Sequence, residues 1–325
     1  MLVTDLPETF LRNRLSGIPF VVRPAVFDVG MVQLDSVRVD VPETLRRAMD
    51  LVLHRSELLD RETAFLRAQD AGLVVCDIPS IPLEAAEQVG IPRLAVGNFS
   101  WNWIYSAFAD QDTRWREVMQ VFEEGYAKSD LLLRLPFAEE MTAFPRQRDI
   151  PIVAEPGTAR RDALAALTGA PTDRRWVLLS FSSLDWDEEA LREVEAMEEY
   201  AFFTVRPLEW KRKNLFPVDR ERMPFSDVIA SVDIVVTKPG FGVLSECVVN
   251  RKPMVYVDRT DFLEYPILEE AVQRYLQHQH IPAEQLYRGV LHEALERVLS
   301  NPEPQEKPGM GGGPVAAQIL QEWLT

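Results

Sequence analysis

The segment Lys238-Pro239-Gly240-Phe241-Gly242 joins an apolar run at 233–237 to a helical pattern at 243–250, with Ser245 and Glu246 one turn inside that pattern. Pro239 fixes its φ and removes a donor, while Gly240 and Gly242 permit close backbone approach and positive φ. The helix therefore begins with bare N–H groups facing an open loop, a ready site for an anion. Lys238 either pairs with a phosphate there or solvates the loop. Glu246 is placed to accept hydrogen bonds from ligand hydroxyls. A second apolar run, 253–257, ends in an acidic loop carrying Asp258, Asp261 and Glu264. The pattern lacks the GxGxxG dinucleotide fingerprint and the GK[ST] ending of a phosphate-cradling P-loop. A nucleotide diphosphate fits it, and NAD or an ATP-hydrolysing loop does not. An ordinary tight turn between strand and helix would use the same glycines.

In the first half, Asp77 follows the apolar run 73–76, where an α/β sheet places ligand groups. Capping of the helix that follows would explain it as well. Asn98, Ser100 and Trp101 lie just past another apolar run, 93–96. Trp101 and Trp103 with Tyr105 form either a platform for a sugar ring or a packing cluster between domains. His54, His278, His280 and His292 are scattered and carry no catalytic pattern, and with Cys76 and Cys247 they make no metal site. Both cysteines sit in apolar contexts that predict buried free thiols rather than a disulfide. No cofactor is called for.

Stepping along the chain, β-rich apolar runs alternate with amphipathic helical patterns. Runs at 20–22, 73–76, 93–96, 131–133 and 150–153 precede others at 176–181, 201–205, 233–237 and 254–257. Apolar residues at helical spacing from Pro42 to Ala71 predict one long helix, with Pro42 and Glu43 in its first turn. The alternation predicts an α/β protein of two Rossmann-like, doubly wound domains, 1–155 and 156–325, divided where Pro151, Pro156 and Gly157 break the pattern. A Gly/Pro-rich tract at 302–314 leads into a last amphipathic helix. The opening Leu2-Val3-Thr4 is barely a strand before the first loop.

At 325 residues and 46% hydrophobic, the chain can bury two cores. Its 35 basic and 51 acidic residues give a net charge of −16. Residues 1–155 hold 16 basic and 24 acidic side chains and the remainder 19 and 27, so each half carries −8. Without a basic patch, nucleic acid and anionic membranes are poor partners. No apolar run approaches ~20 residues and no signal-peptide pattern opens the chain, so a cytoplasmic protein is expected.

Several segments carry a family resemblance. Cys76-Asp77-Ile78-Pro79, Ala85-Ala86, Gly90-Ile91-Pro92 and Val96-Gly97-Asn98-Phe99-Ser100-Trp101-Asn102-Trp103-Ile104-Tyr105 resemble bacterial GT-B glycosyltransferase-like proteins and the N-terminal half of plant L-arabinokinases. Thr237-Lys238-Pro239-Gly240-Phe241-Gly242, Ser245-Glu246-Cys247, Arg259-Thr260-Asp261-Phe262-Leu263-Glu264-Tyr265 and the segment from Gln273 continue the resemblance in register. More distantly, the chain is similar to the N-acetylglucosaminyltransferase that makes lipid II. The resemblance implies a cleft between two domains, with the C-terminal one holding the nucleotide of an activated sugar, most simply a UDP-sugar. It places Gly240, Phe241, Gly242 and Ser245 on the diphosphate, Glu246 on the ribose, and Asp261 and Glu264 beside the donor sugar. Family members carry a glycine pair where this chain has Ser182-Ser183. They also open with a strand and a Gly-His-Gly-like loop that supplies a candidate base, and this chain begins downstream of it.

Two function classes follow. One is transfer of a glycosyl group from a nucleotide diphosphate sugar to an unknown acceptor, with Asp77 as the catalytic candidate and Asn98, Ser100 and Trp101 on the acceptor side. The other is a non-catalytic sugar-nucleotide-binding module, and a nucleotide-sugar 2-epimerase on the same fold is a further alternative. With the first strand-helix unit absent, the chain is expected to bind a sugar nucleotide, to turn it over slowly, and to self-associate through an exposed sheet edge.

Overall fold

The computed structural model describes residues 1–325 except Ser16, Asp261, Thr325 and the side chain of Asn13. In chain order the first half contains β1 (Leu2–Val3), α1 (Glu8–Arg14), β2 (Val22–Arg23), α2 (Val41–Leu53), α3 (Arg55–Ala68), β3 (Val74–Cys76), α4 (Ile81–Val89), β4 (Arg93–Gly97), α5 (Trp101–Ser106), α6 (Arg114–Tyr126), β5 (Leu131–Arg134) and β6 (Gln147–Asp149). The second half contains α7 (Arg161–Thr168), β7 (Arg175–Ser180), α8 (Glu188–Glu195), β8 (Tyr200–Val205), β9 (Leu215–Val218), α9 (Phe225–Ser231), β10 (Ile234–Thr237), α10 (Phe241–Asn250), β11 (Met254–Val257) and α11 (Tyr265–Tyr275). It closes with β12 (His278–Ile281), α12 (Ala283–Tyr287), α13 (His292–Val298) and α14 (Gly312–Glu322).

The second half is a six-stranded parallel sheet in the order β12-β11-β10-β7-β8-β9. The middles of its central strands are apolar on both faces because helices cover both: Val177, Leu179 and Val236 face one core, and Leu178 and Val235, with Leu244 of α10, the other. Chain order reverses between β7 and β10, which pair from Ile234 opposite Val177 to Thr237 opposite Ser180. Connections leave these two strands in opposite directions, so a crevice opens beyond their carboxyl ends.

The first half carries a four-stranded parallel sheet, β3-β4-β5-β6, and a separate parallel pair, β1-β2. β1 and β3 are each paired on one side only, and both line a groove of about 890 Å³ that no described strand fills.

Three local expectations are corrected. The helix predicted through 42–71 is two helices that meet at His54, the first capped by Asp40, whose carboxylate accepts the Glu43 N–H at 3.0 Å. The strand expected at 150–153 falls instead on exposed residues 147–149, and Ile150 is buried beneath α14. The last helix does not stay with the second sheet: Ile319 packs with Leu94, Leu131 and Leu133 of the first. A Cβ on Gly312 would lie 2.0 Å from the Pro151 carbonyl oxygen, so only glycine lets α14 approach the linker this closely.

Candidate functional site

The loop from Lys238 to Gly240 ends β10 at the reversal point, with Thr237 Oγ1 donating to the Ser180 carbonyl at 2.8 Å. α10 starts at Phe241 with Gly240 as its N-cap and no side chain capping it. Leu244 N–H donates to the Gly240 carbonyl, so the N–H groups of Phe241, Gly242 and Val243 precede the first intrahelical bond. Neither Gly240 nor Gly242 adopts the positive φ the sequence allowed; Gly240 is extended at φ −163°. The space beside both glycines is open. A Cβ on Gly242 would meet nothing within 4 Å, and one on Gly240 only Val243 Cγ1 at 3.9 Å.

Glu246 is half-buried one turn along, and its Oε2 has no hydrogen-bond partner. Burial raises its pKa, opposed by the charge of Arg14 at the end of α1, which reaches it from the other domain. Ser245 is half-buried on the same turn. Lys238 is partly buried and makes no ion pair among the described residues. Desolvation and the neighbouring charge of Arg259 lower its pKa to about 8, against a smaller opposite effect of Glu264. Asp261 lies outside the described residues. Glu264 is near Arg259, Oε1 to Nη1 at 3.6 Å, while its Oε2 is buried without a partner.

Across the cleft, Phe99 stacks on Phe241 with ring centroids 5.6 Å apart, which puts the β4–α5 loop and the start of α10 on the same side of the molecule. Trp101 lies edge-on to Phe99 at 5.0 Å, and its Nε1 donates to Asp28 Oδ2 at 3.0 Å. Asn98 and Ser100 have internal partners: Asn98 Nδ2 donates to the Pro136 carbonyl at 2.5 Å, and Ser100, 1% exposed, donates to Glu139 Oε1 at 2.6 Å. Tyr105 is a core residue whose hydroxyl donates to the Gly30 carbonyl. Of the aromatic cluster, Phe99 is the ring that reaches the second domain.

Asp77 opens onto the groove between β1 and β3. Atoms packed behind its carboxyl and the nearby Asp28 raise its pKa, and no hydrogen bond counters them. Asp28 is raised in turn by burial and by Asp5, with the Trp101 hydrogen bond opposing. Ile78, next in chain, has φ +61°, a strained value for a β-branched residue, held by burial at 3% exposure and by the Tyr126 hydroxyl on its carbonyl at 2.8 Å. Asp77 does not cap α4: Ser80 is the N-cap residue and no side chain bonds there.

Ser182-Ser183, after β7, is covered. Ser183 N–H donates to Ser36 Oγ at 2.8 Å, Ser36 N–H to the Ser183 carbonyl at 3.3 Å, and the hydroxyls of Ser36 and Ser182 are 3.1 Å apart. Arg259, Asp28 and Ser36 were not singled out by sequence reasoning. Arg259 lies inside the 259–265 segment that carries the family resemblance, whereas Asp28 and Ser36 lie in a segment without apolar periodicity.

No protein-family model matches the chain. It is 28% identical to the L-arabinokinase of Arabidopsis thaliana over 326 residues, which cover 98% of this chain but 31% of that protein. Among solved structures, the glycotransferase of kitacinnamycin superposes with a TM-score of 0.58 at 16% identity, covering 93% of this chain and 81% of that one. A UDP-glucosyltransferase from Polygonum tinctorium gives 0.56 at 14% identity, covering 98% and 84%. The chain thus has the GT-B glycosyltransferase fold of two Rossmann-like domains. Among the described residues no helix is long and apolar enough to cross a membrane.

Proposed function

We propose that this chain binds a nucleotide diphosphate sugar at the start of α10 and positions it for glycosyl transfer across the cleft. The observation that carries the reading is the uncapped, unfilled N-terminus of α10 at the sheet's reversal point, with Glu246 half-buried one turn further on. The first N–H groups of α10 would take the diphosphate. Glu246 would accept the ribose hydroxyls, satisfying an oxygen that has no protein partner. The named function of the Polygonum neighbour, a UDP-glucosyltransferase, supports UDP as the nucleotide to test first. Stabilising the leaving diphosphate with helix N–H groups needs no metal. Deprotonating an acceptor hydroxyl needs a base, and the raised pKa of Asp77 suits that role.

Calorimetry with UDP, GDP, dTDP and their sugars tests the reading. Binding of at least one in the micromolar range is expected, and no binding by any at millimolar ligand would overturn it. Release of nucleotide diphosphate from bound donor, with and without candidate acceptors, then separates a transferase from a binding module.

A further inference from the structure

Beside α10 sits a guanidinium with too few partners. Arg259, on the loop after β11, is 8% exposed, and its Nε and Nη2 have no hydrogen-bond partner. Among the described residues its carboxylate neighbour is Glu264, at 3.6 Å, beyond the 2.7–2.9 Å of a charge-assisted bond, and its guanidinium lies over the ring of Phe262. Burial lowers its pKa to about 10. The second cation in reach, Lys238, makes no ion pair among the described residues. Burial and Arg259 depress its charge. Two desolvated cations that repel one another, one with Nε and Nη2 unpaired and one without an ion pair among the described residues, are unfavourable. A ligand that supplies oxygen acceptors and negative charge removes that cost.

Resting on the reading of α10 as a nucleotide diphosphate site, we propose that Arg259 is a specificity-determining residue of that site. It and Lys238 clamp the ligand's pyrophosphate, and the ligand binds with uptake of a proton onto Lys238. The planar guanidinium fork matches phosphate oxygens bidentately, and the ammonium acts as a point charge. Besides burial, the charges that act on Lys238 among the described residues are those of Arg259 and Glu264, both on the β11–α11 loop. Glu246 of α10 is instead opposed by Arg14 of α1, and Asp258, at the end of β11, is engaged by His280 Nε2 at 2.5 Å. The pyrophosphate tips the local charge negative, so Lys238 holds its proton to higher pH in the complex than without ligand.

The test is calorimetry with UDP and with inorganic pyrophosphate at pH 8.5, each in two buffers of different ionisation heat, on the wild-type chain, Arg259→Gln and Arg259→Lys. In the wild type both ligands should bind, and UDP, whose phosphates are fully ionised at this pH, should bind with net proton uptake. Arg259→Gln should weaken both by roughly 10- to 100-fold, the scale of a charged hydrogen bond. It should also diminish the uptake, because Lys238 loses its repelling neighbour, a change that a merely structural role would not produce. Arg259→Lys should keep the uptake and lose part of the affinity. If Arg259→Gln does not fold, the wild type and Arg259→Lys still decide the matter. UDP binding without proton uptake in the wild type, or unchanged affinity in either variant, overturns this inference and leaves the α10 reading standing. Pyrophosphate binding that Arg259→Gln weakens, while UDP fails to bind, supports the clamp and sinks the nucleotide reading.

Discussion

Phe99 and Phe241 stack across the cleft at 5.6 Å with their planes 18° apart, joining the β4–α5 loop to the first residue of α10. Contacts between aromatic rings are worth about 0.5–1.5 kcal/mol beyond their area burial. A double-mutant cycle of Phe99→Leu and Phe241→Leu, read by urea unfolding, should give a coupling energy in that range. A coupling near zero would show that the domains do not rest on this contact in solution.

A second tie between the domains runs through Asp35, 4% exposed. Burial alone would raise its pKa, but hydrogen bonds from Arg38 Nε, the Val37 and Arg38 N–H groups and the Tyr287 hydroxyl outweigh it and hold the pKa low. A carboxylate whose folded pKa is depressed adds stability that is present above its unfolded value of 3.8 and is lost as pH falls through the lower folded value. Asp35→Asn should therefore cost about 1.5–3 kcal/mol at pH 7. The difference should shrink below pH 3.8, as denaturant midpoints measured across that range would show.

Asp28 and Asp77 have the opposite sign. Both pKa values are raised, by burial first and then by a neighbouring carboxylate. The folded state then holds more protons than the unfolded one just above pH 3.8, so this pair contributes a loss of stability as pH rises through that window. Asp28→Asn keeps an acceptor for Trp101 Nε1 and removes the repulsion. It should flatten the pH dependence of unfolding between pH 4 and 7 and lower the pKa of Asp77; an unchanged profile would mean the carboxylates do not interact.

Binding and turnover should separate by residue. Glu246→Ala is expected to weaken UDP binding by about 1–3 kcal/mol, the range for losing a hydrogen bond to a charged group. Asp77→Asn should leave donor binding intact and reduce any glycosyl transfer by ~10² to 10⁴-fold, the contribution of a positioned base. Equal transfer by wild type and Asp77→Asn would remove Asp77 from the chemistry.

The free sides of β1 and β3 can pair with another strand. Sedimentation velocity over a hundredfold range of concentration should show association that Val75→Lys, at an exposed position on β3, reduces; a monomer throughout would argue that the groove does not drive self-pairing.

Short-range chemistry accounts for what the amino-acid order alone determined. Central strands such as β7, β10 and β11 are buried on both faces and read as unbroken apolar runs, and the glycines of 240–242 announce a helix start next to one of them. Edge strands leave weaker marks. β9 is apolar but carries Pro217, which argues against a strand, and β12 is the polar His278-Gln279-His280 before Ile281, although each pairs in register. The break at His54 is equally silent, because helical spacing continues through it. Tertiary structure decided everything that joins distant segments. It set Arg259 beside Lys238, Asp28 beside Asp77, Ser36 over Ser183, Phe99 on Phe241 and α14 on the first sheet. None of these contacts has a period or a local partner in the chain, since each arises only when two independently formed layers pack and desolvate the charges between them.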